Sequence, residues 1–88
     1  MNLVEAAART MEEEAREMYR ANHKNWGKRN ADGSSMYVSP EVTREICGRS
    51  VRVLVIAAAG NRSSVPYAKW KIDGKRAKFA DVLNITAE

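Results

Sequence analysis

The chain has 88 residues, 44% of them hydrophobic, and carries 15 Lys and Arg against 11 Asp and Glu, a net charge of +4. At this length it fits one small domain that buries only about 60% of the surface its unfolded form exposes, so the core is marginal and association with itself or another chain is expected. One cysteine excludes an intrachain disulfide, the longest mostly apolar run (Val53 to Ala59) is too short to cross a bilayer, and the acidic start is unlike a signal peptide. These features predict a soluble protein of a reducing, cytoplasmic compartment.

Charge is unevenly spread. Residues 1–22 hold five Glu against three Arg, and the rest of the chain holds twelve Lys and Arg against six Asp and Glu. The first element should be a helix from about Leu3 to Asn22. Val4, Ala7, Ala8, Met11, Ala15, Met18 and Tyr19 recur at the spacing of one helical face, with Glu and Arg mainly on the other. Asn2 followed by Glu5 has the form of a capping box, and Glu5→Arg9 and Glu12→Arg16 are favourably ordered pairs of about 0.3 kcal/mol each.

Residues 23–38 then read as a long polar loop in which Trp26 is the one anchor among Gly, Asn and Ser. Over 39–48 two readings stand. Ser39 as cap, Pro40 at a first helical position and Gly48 at the end describe a short helix, while an extended segment remains open. From Ser50, "SVRVLVIAAAG" is β-branched and aliphatic on both faces, as in a strand covered on each side, and residues 60–64 supply turn chemistry.

"VPYAKWKIDGKRAKF", Val65 to Phe79, is a hairpin turned by Asp73-Gly74, the pair favoured in a type I′ loop. Counting outward pairs Ile72 with Lys75, Lys71 with Arg76, Trp70 with Ala77, Lys69 with Lys78 and Ala68 with Phe79. One face therefore carries Ala68, Trp70, Ile72, Ala77 and Phe79; the other carries Lys69, Lys71, Arg76 and Lys78. Like charges directly opposite cost a few tenths of a kcal/mol per exposed pair, unless an anionic partner offsets them. Edge lysines that block unwanted strand pairing explain the same pattern without a partner. The fold expected is α+β: a long N-terminal helix packed on a three-stranded antiparallel meander, strands near 50–59, 65–72 and 75–85.

Catalytic chemistry finds little support. Cys47 and His23 have no spacing that suggests a nucleophile and its base, and a buried inert thiol and an exposed loop histidine are expected instead. One His and one Cys do not make a zinc site, and the glutamates of the first helix read as a solvated face. Neither a phosphate loop nor a dinucleotide fingerprint is present, so no enzyme, cofactor, metal or small-molecule substrate is expected. For nucleic acid, the signs are the basic hairpin and a sequence pI near 9.5, with Trp26, Tyr37 and Tyr67 as stacking groups beside Lys24, Lys28 and Arg29.

An alanine-rich helix precedes Pro40, Thr43, Ile46, Ser50-Val51 and "VPYAKWKIDG", Val65 to Gly74. This order resembles the small tail-completion or head–tail joining proteins of tailed bacteriophages and prophages, over roughly positions 4–75. The chain departs from that pattern at Arg44, where the family usually has Gly, at Ile72, where it usually has Glu, and in one extra residue before Ser50. The resemblance implies a non-enzymatic α+β subunit that assembles as a ring or connector in the virion neck. Its partners would be copies of itself or neighbouring virion proteins.

In such an assembly the acidic helix of one subunit could meet the basic hairpin of the next. Lys69, Lys71, Arg76, Lys78, Tyr67, Trp70 and Trp26 are the candidate partner-binding residues, Tyr67 and Trp70 serving either as interface anchors or as hairpin core. Two alternatives stand beside this one: a small basic nucleic-acid-binding module using the hairpin 65–79, and a phage-borne inhibitor of a host protein.

Overall fold

A 20-residue helix, α1 (Leu3–Asn22), begins where Asn2 Oδ1 accepts the backbone N–H of Glu5 at 2.7 Å, satisfying one of the donors a helix start leaves free. The computed structural model describes residues 2–57 and 66–85. After α1 come a single 3₁₀ turn (His23–Asn25), β1 (Glu41–Ile46), β2 (Arg49–Ile56), β3 (Tyr67–Ile72), β4 (Lys75–Ala77) and α2 (Phe79–Leu83). The strands form one antiparallel sheet in the order β1-β2-β3-β4, and the fold is α+β as its sequence predicts, with four strands rather than three.

The added strand comes from residues 39–48, whose two readings resolve as extended chain. Val42 and Ile46 are buried beneath α1, with the exposed Thr43 and Glu45 on the other side of the pleat. Pro40 does not open a helix; its carbonyl accepts from Val55 N–H at 3.0 Å and prolongs the ladder. Gly48 (φ 76°) forms a two-residue turn with Cys47 (φ 50°), joining β1 to β2 with Ile46 opposite Arg49. Positive φ at both centres marks the type I′ turn, which suits the twist of paired strands. Cys47 is therefore exposed at a turn tip, contrary to the expected buried thiol.

The second hairpin turns at Asp73 (φ 51°) and Gly74 (φ 82°) with the register counted from the sequence: Ile72 opposite Lys75, Lys71 opposite Arg76, Trp70 opposite Ala77. Beyond Ala77 the expectation fails. Lys69–Lys78 and Ala68–Phe79 do not pair, because Lys78 opens α2, where Asp81 Oδ2 accepts its backbone N–H at 2.8 Å. Phe79, Val82 and Ile85 then follow a helical spacing toward the core, and Phe79 stacks at a tilt on Trp70 with ring centroids 5.4 Å apart. A strand continuing to residue 85 would have alternated these apolar groups out of register with the core. The expected turn at 60–64 lies outside the described residues.

The core lies between α1 and one face of the sheet: Ala8, Met11 and Ala15 from the helix; Val42, Ile46, Val51, Val53, Val55 and Trp70 from the strands; Val82 and Ile85 from the C-terminal segment. Alanines on the stripe let the helix approach the sheet closely. Among the described residues, β2 is covered on one side only. Val51, Val53 and Val55 are fully buried, while Arg52, Leu54 and Ile56 are half-buried on a face that no described element covers. The predicted two-sided burial of this strand is thus corrected: its alternating aliphatic residues are an outer row as well as a core row.

Candidate functional site

Among the described residues, the open face of the sheet gathers several cations that have no internal counter-charge. The pleat sends every second residue outward, so the register aligns Thr43, Arg52, Lys71 and Arg76 in one row across all four strands. Leu54 stands opposite Lys69 in the next row, and Ile56 opposite Tyr67 in the one after. Neighbouring strands lie about 4.8 Å apart, so Arg52, Lys71 and Arg76 sit on Cα positions spanning roughly 10 Å.

Of these cations Arg52 alone has an internal counter-charge, Glu41 at 3.6 Å. No carboxylate among the described residues comes within 4.0 Å of Lys69, Lys71, Arg76 or Lys78. Each like-charge neighbour across the ladder costs a little stability, which no carboxylate among the described residues offsets.

Because β4 stops at Ala77, the outer edge of β3 is left without a strand beside Ala68 and Lys69. A groove of about 570 Å³ runs round this edge, with Lys69, Lys71, Arg76 and Lys78 on its rim and Ala68, Ala77, Trp70 and Phe79 along its floor. Its far side is Arg16 of α1, whose guanidinium donates to the Pro66 carbonyl at 3.0 Å and pairs with Glu12 at 3.5 Å.

The structure thus unites five of the seven sequence-predicted residues, Lys69, Lys71, Arg76, Lys78 and Tyr67, the last 45% exposed on the same face. Trp70 belongs to the core instead. It points the other way at 4% exposure, the core alternative of its two readings, and meets the site only at the floor of the groove. Trp26 stands apart on the loop after α1, 73% exposed, its ring edge-on to Tyr37 at 5.1 Å; partial burial there raises the Tyr37 pKa above its ordinary value.

Arg52 and Arg16 escaped the sequence reading. The period-two pattern of "SVRVLVI" already placed Arg52 with Leu54 and Ile56, but hydrophobicity on both sides of it concealed which row faced water. Arg16 reaches the groove only through the packing of α1 on the sheet, which no local pattern records.

The acidic helix is not a free anionic surface. Glu5 pairs with Arg9, Glu12 with Arg16, Glu13 with Arg20 and Glu14 with Arg44, at 3.1–3.5 Å. Only Glu17 of its five carboxylates makes no such pair among the described residues. The helix packs on the layer opposite the basic face, and the one helix carboxylate that lines the groove, Glu12, is paired with Arg16.

His23 and Cys47 occupy opposite ends of the molecule. His23 follows the C-terminus of α1, whereas Ile46, next to Cys47, lies beside Ala6 and Ala7, about 25 Å away along the helix. Among the described residues no helix is long and apolar enough to cross a membrane, and no three His, Cys, Asp or Glu side chains gather as a metal site would require. No family model, curated protein or solved structure matches this chain.

Proposed function

We propose that the protein is a non-enzymatic binding module whose open sheet face docks the phosphate backbone of a nucleic acid. The observation that carries this reading is the row Arg52, Lys71 and Arg76, flanked by Lys69 and Lys78, with Glu41 the one carboxylate paired to them among the described residues. A polyanion neutralises these cations and releases its own counterions, which makes affinity depend steeply on salt. The overall charge of +4 and the placement of the helix on the other layer favour the same encounter.

The test is fluorescence anisotropy of a labelled oligonucleotide across a salt series. Replacing Lys69, Lys71, Arg76 and Lys78 together by Ser should lower the slope of log K against log salt by roughly three, at about 0.7 to 0.9 per phosphate contact. An unchanged slope in a variant with native circular dichroism removes this face as the contact.

A second reading is virion assembly. The resemblance carried by Pro40, Thr43, Ile46, Ser50-Val51 and the hairpin residues supports a phage neck subunit that associates with itself or with neighbouring virion proteins. One structural observation favours it: Trp26, Met36 and Val38 expose apolar surface on the loop after α1, which a neighbouring subunit would cover. The helix-to-hairpin electrostatic contact loses ground, since four helix carboxylates would have to leave existing partners. An association built on the apolar loop keeps no such conflict.

A further inference from the structure

The open face is not uniformly charged. At the end of β2 and β3 away from the two tight turns, Ile56 and Tyr67 stand directly opposite each other, with Leu54 next along β2. Leu54 and Ile56 are half-buried and Tyr67 is 45% exposed, with no described element over them. Two residues further along each strand Leu54 stands opposite Lys69, and four residues further, a rise of about 13 Å, the face becomes the cationic row of Arg52, Lys71 and Arg76.

This juxtaposition separates the two forms a nucleic acid can take. A duplex turns phosphates outward and keeps its bases stacked within, so only the cationic row would gain a partner. The Tyr67–Ile56 platform would then be pressed against charged backbone or left to water. A single strand offers both chemistries at once: unstacked bases have π-faces for an aromatic ring, and the connecting phosphates suit the lysines beside it. Because β4 ends at Ala77, no described strand lies beside Ala68 and Lys69, which leaves an outlet, the groove rimmed by Lys69, Arg76 and Lys78.

Resting on the nucleic-acid reading above, we propose that the ligand is single-stranded, with a base stacked on Tyr67 over Ile56 and the backbone crossing Lys69 and Lys71 toward Arg76. Tyr67 supplies the stacking platform. The cations fix the strand's position and supply the salt dependence.

The experiment compares a single-stranded oligonucleotide of about 12 nucleotides, within the usual site size of a small sheet-based binder, with its own duplex. Wild type should bind the single strand more tightly. Tyr67→Ala should weaken that binding by roughly ten-fold, the loss of one stacked base, without changing the salt slope or the duplex affinity, and Tyr67→Phe should retain it. With 2-aminopurine in the strand, wild type and Tyr67→Phe should quench its fluorescence and Tyr67→Ala should not.

Equal affinity for both forms, or a Tyr67→Ala loss shared by the duplex, overturns the single-strand inference while the nucleic-acid reading stands. If neither form binds in a salt-dependent way, the nucleic-acid reading itself is overturned, and this inference with it.

Discussion

Asp73 shows how much one side chain at a turn can organise. Its carboxylate accepts from the Arg49 guanidinium and, at 3.0 Å, from Ser50 N–H, while its own N–H donates to the Ser50 carbonyl at 2.7 Å. The hairpin β3–β4 is thereby tied to the start of β2. The Arg49 hydrogen bond first, then that from Ser50, holds the Asp73 pKa below the ordinary carboxylate value. A depressed carboxylate contributes stability that is fully present above its unfolded pKa, about 3.9, and lost as pH falls through the folded value. Asp73→Asn should therefore lower the melting temperature at pH 7 by a few degrees and flatten its decline below about pH 4, followed by circular dichroism. Some acid sensitivity should persist, because the Ser34 hydroxyl and N–H hold Asp32 down in the same direction.

The elements depend on their connections as much as on their own pattern. Two tight turns set the registers of β1–β2 and β3–β4, and both require positive φ at two successive residues. Asp73-Gly74 meets that demand with a favoured pair; Cys47-Gly48 does so with a cysteine held in a conformation that costs L-residues about 1–2 kcal/mol, less for Asn. Cys47→Asn should raise stability by about 0.5–1 kcal/mol in urea unfolding with an unchanged m-value. Gly48→Ala should lower it by about 1 kcal/mol through backbone conformation alone, since a Cβ there meets nothing within 4 Å.

At the scale of the whole molecule, the layers divide the work. One helix covers one face of a four-stranded sheet, the apolar core fills the space between, and the other face is left to cations and a small apolar platform. Exposed Trp26, Met36 and Val38 make a second and separate surface beyond the C-terminus of α1. If that surface joins subunits, multi-angle light scattering should show mass rising with protein concentration. Trp26→Ser should then return the chain to monomer, while the Ser replacements on the hairpin should leave the mass unchanged. A wild-type mass fixed at the monomer over the same range would exclude the assembly reading.

Much of the fold was legible in the residues themselves. The 3.6-residue period and the Asn2 cap gave α1 its bounds, and Asp73-Gly74 gave the hairpin its register and the opposed faces of Trp70 and Lys71, because these signals are local. Residues 39–48 were ambiguous because Pro40 and Gly48 serve a helix end or a strand and its turn equally well; pairing with β2 decided between them. Full burial of Val51, Val53 and Val55, and only partial burial of Leu54 and Ile56, were likewise beyond local reading, since the helix layer covers only one side of the sheet. The break after Ala77, and with it the groove beside Lys69, followed from Phe79 and Val82 of α2, and Ile85 just beyond it, reaching the core. The sequence alone determined which side chains share a strand face; only tertiary packing decided which face would meet water, because burial belongs to the layer that arrives and not to the strand that waits for it.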